Sequence, residues 1–310
     1  PPLHSHTHHT RAARGNARVP ELLLRPDQAF DLDLTLSCGQ VFRWERQGDW
    51  WRGVAGTHRV SVRQEGRLLT WNGASRRWLA GYFRLDEDLP AILRDIDRDP
   101  VVHEAIQKCR GLRLVRQPAW ECLGSYICAT YASIPVIKRR IALLCQCFGE
   151  QADQEGETFR TFPSLQALAD ADACRITECR LGYRAPYLHE TARALVEDPG
   201  WEERIRSLPY GEARKELLRL KGVGDKVVDC VLLFAFGMYE AFPVDVWIQR
   251  ILRERYPGGA GLRTYNQMAR FGRAHFGEYA GYAQEYLYCN RAGITGRERG
   301  RYVPESQDER

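Results

Sequence analysis

The spacing of apolar residues changes period once along the chain, and that change limits the fold more than any other feature. Between 41 and 71, short alternating runs (Val41-Phe42-Arg43-Trp44, Trp51-Arg52-Gly53-Val54, Arg59-Val60-Ser61-Val62 and Leu68-Leu69-Thr70-Trp71) are separated by glycine-containing turns. That pattern predicts an antiparallel meander, with helices near 75–83 and 88–97. Beyond residue 100 the period becomes 3.6, over 118–130, 134–148, 163–176, 186–196, 211–220, 225–237, 245–255, 264–276 and 279–292. Pro163, Pro186 and Pro243 stand at helix starts, and Gly149, Gly182 and Gly237 at stops. The expected fold class is α+β, with an N-terminal antiparallel β-sheet domain and its flanking helices (21–114) packed on a mostly α-helical domain (115–295). Two helices joined by a tight hairpin are expected at 211–237, a disordered tail at 1–20 and a flexible one at 296–310.

The chain has 310 residues, 44% of them hydrophobic and 27% charged, enough for two or three packed units at roughly 100–200 residues each. This composition excludes collagen-like, coiled-coil and disordered classes. The apolar run CVLLFAFGM (230–238) is about half the ~18 residues that a membrane span needs, and the N-terminal stretch has no signal-peptide core. A soluble intracellular protein is expected. Only five of the 45 Lys and Arg residues are lysines. An arginine excess suits a phosphate-rich partner, and it also follows from a GC-rich genome. The ten cysteines include no C-x-x-C and no run with metal or cluster spacing, so buried thiols without disulfides or an iron–sulfur cluster are expected. His4, His6, His8 and His9 read better as a solvated arm than as a metal site. Lys138-Arg139-Arg140 either touches phosphates or solvates a helix face, and solvation is slightly preferred.

The densest signal lies between Glu212 and Arg255. Lys221-Gly222-Val223-Gly224 joins two helices, and the N-terminus of the second offers free N–H groups, a phosphate site without sequence preference; a plain tight αα-turn gives the same pattern. Lys226 sits in the first turn of that helix, where positive charge is disfavoured and an amine can serve as a nucleophile. Cys230 and Phe234 share its face. By periodicity alone these are a surface lysine and core residues. Asp245, after Pro243-Val244, is a good N-cap. A carboxylate held near a helix-borne amine also has a chemical use, because breaking an N-glycosidic bond builds positive charge on the sugar.

The hairpin, Lys226 and Asp245 together resemble the helix-hairpin-helix superfamily of DNA glycosylases, and within it the 8-oxoguanine DNA glycosylase family. GVGDKVVDC followed by PVDV is similar to that family's catalytic segment. SCGQVFRW (37–44), LGYRAPYL (181–188) and YAGYAQEYLY (279–288) are similar to three further blocks in the same order, so the resemblance covers about 25–292. It implies a bifunctional glycosylase/AP lyase that flips 8-oxoguanine out of duplex DNA. Lys226 would displace the base at C1′ and leave a Schiff base, β-elimination would nick the strand, and Asp245 would stabilise the sugar cation. No cofactor or metal is implied, nor an obligate protein partner; a monomer is expected.

The resemblance also implies how the base is read. The Gly39 carbonyl would accept N7–H, Gln284 would meet the Watson–Crick edge, and Tyr288 and Cys230 would sandwich the ring, Phe234 continuing that face. Without the surrounding blocks, Gly39 reads as a turn glycine and Gln284 as an exposed helical glutamine. Gly222, Val223 and Gly224 would hold the backbone. Tyr183 matches the wedging tyrosine and Arg184 one of two arginines that read the opposite cytosine. Tyr131 stands where the family has an asparagine, Val136 where it has the other arginine, and Trp247 where a histidine is frequent. Losing one bidentate reader removes roughly 1–3 kcal/mol of discrimination, which predicts a relaxed opposite-base preference. A glycosylase for alkylated or adenine bases and a non-catalytic DNA-binding module are the competing readings.

Overall fold

The computed structural model describes residues 19–295. The tails expected at 1–20 and 296–310, with the N-terminal histidines, lie outside the described residues apart from Val19 and Pro20. Strands β1 (Glu21–Leu23), β2 (Trp44–Gln47), β3 (Trp50–Ala55), β4 (His58–Glu65) and β5 (Leu68–Asn72) form one antiparallel sheet in the order β1-β5-β4-β3-β2. Helix α1 (Leu32–Ser37) interrupts the sheet after β1, and α2 (Arg76–Tyr82), α3 (Leu89–Ile96) and α4 (Pro100–Lys108) follow it.

The helical body comprises α5 (Ala119–Ala129), α6 (Ile134–Phe148), α7 (Leu165–Ala169), α8 (Ala173–Ile176), α9 (Arg184–Val196), α10 (Trp201–Ser207), α11 (Tyr210–Leu217), α12 (Asp225–Phe234), α13 (Val246–Arg255), α14 (Tyr265–Phe276), α15 (Ala280–Cys289) and α16 (Arg291–Thr295). A hairpin of β6 (Gln151–Gln154) and β7 (Glu157–Arg160) stands between α6 and α7.

The meander and most of the expected helices are where the periodicity places them; α1, α4 and α10 lie outside the expected helices, and there are other differences. The run expected at 41–44 enters the sheet only at Trp44, because the backbone before it turns around buried Gln40. The helix expected at 163–176 is two, since Asp170 ends α7 and the Asp172 carboxylate caps α8 by accepting from Cys174 N. The β6–β7 hairpin carries no apolar alternation to announce it. It holds the two parts of the chain together: Gln154 accepts from Arg59 N and donates to the carbonyls of Arg59 and Gly73, and Arg43 donates to the Arg160 carbonyl at 2.6 Å.

Two hydrophobic cores result. Trp44, Val60, Val62, Leu69, Trp71, Leu79 and Phe83 fill one. The larger is helical and includes α3 and α4 through Leu89, Ile92, Ile96, Val102 and Ala105. Lys138 Nζ donates to the Trp44 carbonyl at 2.8 Å, and Arg140 donates to the carbonyls of Arg180 and Cys128, each at 3.1 Å. The basic run at 138–140 is therefore tied into the fold at two of its three positions rather than simply solvated.

Trp44 pairs across the sheet with Gly53, and a Cβ on Gly53 would stand 2.3 Å from the indole. Gly53→Ala adds no backbone strain but forces the buried Trp44 to move, and overpacking of this kind costs about 1–3 kcal/mol. A lower urea midpoint is expected; an unchanged one contradicts this packing.

Candidate active site

The hairpin between α11 and α12 is close-packed on one side and open on the other. Gly222 has φ +75°, and a Cβ there would lie 2.4 Å from Tyr187 of α9, so only glycine lets the turn sit on that helix. Val223 is buried, whereas Gly224 meets no neighbouring atom within 4 Å. Gly224 is the N-cap of α12 and no side chain caps the helix, which leaves first-turn N–H groups available to an anion.

Lys226 is in this turn and exposed, less desolvated than its apolar neighbours in sequence suggest. Asp245 caps α13, its Oδ1 accepting from Trp247 N at 3.0 Å and Ile248 N at 2.8 Å. Burial raises its carboxyl above the ordinary range, and the charge of Lys226 and the two N–H groups oppose that. The capping role expected from sequence is met, and the same carboxylate lies within electrostatic reach of the amine.

The wall of the site comes from α15 and from the loop after α1. Gln284 and Tyr288 are four apart and share a face of α15. Gln284 is 4% exposed and its Oε1 has no hydrogen-bond partner. It is thus a buried acceptor rather than an exposed helical glutamine, and no protein group among the described residues bonds it. Gly39 has φ +93°, and a Cβ there would stand 3.4 Å from the Tyr288 hydroxyl and 3.2 Å from Ile134. The loop therefore lies against the tyrosine. Burial holds the Tyr288 hydroxyl and the Cys230 thiol in their neutral forms. Arg291 stacks on Tyr288 with its guanidinium 4.1 Å from the ring centroid.

Phe234 is a correction. It is 1% exposed and its ring lies parallel to Tyr126 at 5.8 Å, in the core behind the site. Arg184 also differs from expectation. It is 5% exposed, and its Nε donates to the Thr130 carbonyl at 2.9 Å and hydroxyl at 3.0 Å; it braces the loop before Tyr131 instead of projecting outward. Tyr131, Val136 and Tyr183 are exposed at 89%, 43% and 52%. Trp247 carries the guanidiniums of Arg250 and Arg291 at 5.2 and 5.9 Å from its ring centroid, so an uncharged indole still gathers positive charge.

Sequence reasoning missed Gln40, whose buried side chain positions the loop of Gly39, although it lies in the same SCGQ block. It also missed two buried acids. Glu285 accepts from Cys38 Sγ at 3.2 Å, and Asp229 is fully buried in α12. The signal for Asp229 was available: a carboxylate among Val227, Val228 and Val231 on a core-facing helix needs partners. Among the described residues no group of three His, Cys, Asp or Glu side chains is arranged to hold a metal ion.

Residues 22–123 match the family described as 8-oxoguanine DNA glycosylase, N-terminal domain, and residues 126–271 match HhH-GPD superfamily base excision DNA repair protein. The chain belongs to the 8-oxoguanine DNA glycosylase family. It is 33% identical over 309 residues to a probable N-glycosylase/DNA lyase of Methanothermobacter thermautotrophicus, covering 86% of this chain and 96% of that one. It is 30% identical over 277 residues to N-glycosylase/DNA lyase OGG1 of Arabidopsis thaliana, covering 83% and 76%. The Clostridium acetobutylicum 8-oxoguanine glycosylase/lyase, solved in complex with dsDNA containing cytosine opposite 8-oxoG, superposes with a TM-score of 0.80 at 31% identity, covering 86% and 93%.

Burial raises the Glu285 carboxyl to about 8. Because this folded-state value lies above that of an unfolded glutamate (about 4.3), the native state binds the extra proton. Stability from this group is complete at low pH and declines as pH rises toward about 8. Glu285→Gln is expected to gain stability relative to the parent at pH 8 compared with pH 5, in paired urea titrations. An equal difference at the two pH values contradicts the assignment.

Proposed function

We propose that this protein is a bifunctional 8-oxoguanine DNA glycosylase/AP lyase of base excision repair, acting inside the cell on double-stranded DNA that contains the lesion. The observation that carries this reading is the unfilled acceptor of Gln284 beside the Gly39–Tyr288 contact, in the same electrostatic neighbourhood as Lys226 and Asp245.

The damaged nucleotide leaves the stack, at a cost of a few kcal/mol, and its base enters between Cys230 and Tyr288. N7–H, present on 8-oxoguanine and absent from guanine, donates to the Gly39 carbonyl, while Gln284 meets the Watson–Crick edge. The amine of Lys226 attacks C1′, and the C1′–N9 bond breaks with its electron pair going to the departing base, which also takes a proton from the attacking nitrogen. The ionised carboxylate of Asp245 lowers the energy of the positive charge that develops on the sugar. The resulting aminal opens to a protonated Schiff base, O4′ leaving C1′ with the bonding pair and taking a proton from water. Loss of a C2′ proton then expels the 3′ phosphate, which cuts the strand. The open N-terminus of α12, with Gly222, Val223 and Gly224, holds the phosphates nearby.

The opposite strand meets an apolar face. Tyr131 is held at φ +48°, a conformation costing an L-residue about 1–2 kcal/mol, with its ring almost wholly in water. That arrangement suits stacking in the gap that the flipped base leaves. Tyr183 wedges beside it. Val136 offers no hydrogen bond and Arg184 is engaged with Thr130, so the opposite base is read weakly.

Borohydride trapping on duplexes with 8-oxoguanine opposite each of the four bases tests both parts. A covalent adduct is expected on all four and none with Lys226→Gln; an adduct that persists in the variant overturns the mechanism. Single-turnover excision is expected to differ among the four duplexes by less than the roughly 5- to 150-fold that one bidentate reader supplies, and Val136→Arg is expected to widen the gap in favour of cytosine. Strict cytosine dependence of the unsubstituted protein contradicts the relaxed preference.

A further inference from the structure

Lys226 and Asp245 stand on different elements, so their separation depends on how the segment before α13 docks beside α12. Asp229, one turn beyond Lys226 and fully buried, accepts from the hydroxyls of Tyr265 at 2.6 Å and Tyr210 at 2.8 Å and from Arg214 Nε at 3.0 Å. Having donated to Asp229, the Tyr265 hydroxyl accepts the N–H of Val244 at 3.3 Å. Val244 is the peptide neighbour of Asp245. One hydroxyl is therefore bonded both to the helix of the amine and to the turn that carries the carboxylate.

The same helix secures the other end of that turn. A Cβ on Gly272 of α14 would stand 2.5 Å from the Phe242 ring, so the missing side chain admits Phe242, which stacks on Phe276 at 6.1 Å. Tyr265 is the first residue of α14, and the Thr264–Gln267 capping box fixes that end of the helix. The 242–244 segment thus rests on α14 through an aromatic contact and through the tyrosine hydroxyl. A phenol suits this role because it donates and accepts at one atom; phenylalanine would keep the ring packing and leave the Val244 N–H without a partner.

We propose that Tyr265 is a positioning residue for the glycosylase reaction, the chain Asp229–Tyr265–Val244 setting the place of the Asp245 carboxylate relative to the Lys226 amine. This rests on the reading of Lys226 as nucleophile and Asp245 as the carboxylate that stabilises the sugar cation. A displacement of about 1 Å at such a pair can cost on the order of a hundredfold in rate, so the hydroxyl matters for chemistry well beyond its share of stability.

The test is single-turnover release of 8-oxoguanine by the full chain, by Tyr265→Phe, by Asp245→Asn and by the double variant. Tyr265→Phe is expected to slow release by about tenfold or more while affinity for a duplex with a tetrahydrofuran abasic site stays within about twofold. In the Asp245→Asn background the same change is expected to cost less than about twofold, because the carboxylate it positions is already gone. Asp229→Asn, which weakens the chain and keeps the tyrosine, is expected to show the same non-additivity. An unchanged rate in Tyr265→Phe overturns the proposal. So does an equal loss with and without the Asp245 carboxylate, or a loss of duplex affinity in step with the loss of rate. The underlying assignment is read apart from this, by trapping: an adduct retained in Lys226→Gln sinks the roles of Lys226 and Asp245 whatever Tyr265→Phe does.

Discussion

Gln40, through its side-chain amide and its backbone carbonyl, ties the two cores together at the place where the damaged base is proposed to be read. It donates to the carbonyls of Thr35 at 3.0 Å and Arg113 at 2.9 Å and accepts from Val115 N at 2.7 Å. Its own carbonyl accepts from Gln117 Nε2 at 2.6 Å and the Tyr126 hydroxyl at 3.3 Å. Each such bond contributes about 0.5–1.5 kcal/mol net, and breaking one inside a core leaves a group unsatisfied at about 1–3 kcal/mol. The loop carrying Gly39 is therefore set by a buried polar cluster rather than by a regular element. Phe234 belongs to the same support, since it stacks on Tyr126, and that explains why it lies behind the site.

The other ties serve the same end. Arg43 is paired with Glu121 at 3.2 Å with both side chains 11% exposed, Lys138 reaches the Trp44 carbonyl, and the β6–β7 hairpin grips the sheet from the helical side. Electrostatic stabilisation of a sugar cation depends on groups already in place before charge develops. A site shared by the Gly39 loop, whose flanking Cys38 and Phe42 pack in the helical core and Val41 in the other, and by helices α12 and α15 gains that only if the cores do not slide. On the outer face Tyr131 holds a costly backbone angle and an exposed ring, the arrangement proposed above to stack in the gap left by the flipped base.

The meander and most of the helices were legible because burial of one face imposes a period of two or 3.6. Gln284, Tyr288, Gly39 and Asp245 are proposed from their sequence blocks, and the geometry adds what the blocks lack, an acceptor without a protein partner and a close contact. What escaped depends on contacts distant in sequence. Gln154 in β6 finds Arg59 and Gly73, and Arg184 turns inward to Thr130, which no local pattern records. Asp229 was hidden in plain view, because its three donors come from α11 and α14.

The central claim is that one lesion base sits between the Gly39 loop and α15. The most direct measurement is a crystal structure of Lys226→Gln bound to a duplex with 8-oxoguanine opposite cytosine. The account predicts the base between Cys230 and Tyr288, with N7–H donating to the Gly39 carbonyl within about 2.7–3.2 Å and Gln284 Oε1 no longer unpartnered. A base still stacked in the duplex, or held elsewhere with Gln284 empty, would contradict it.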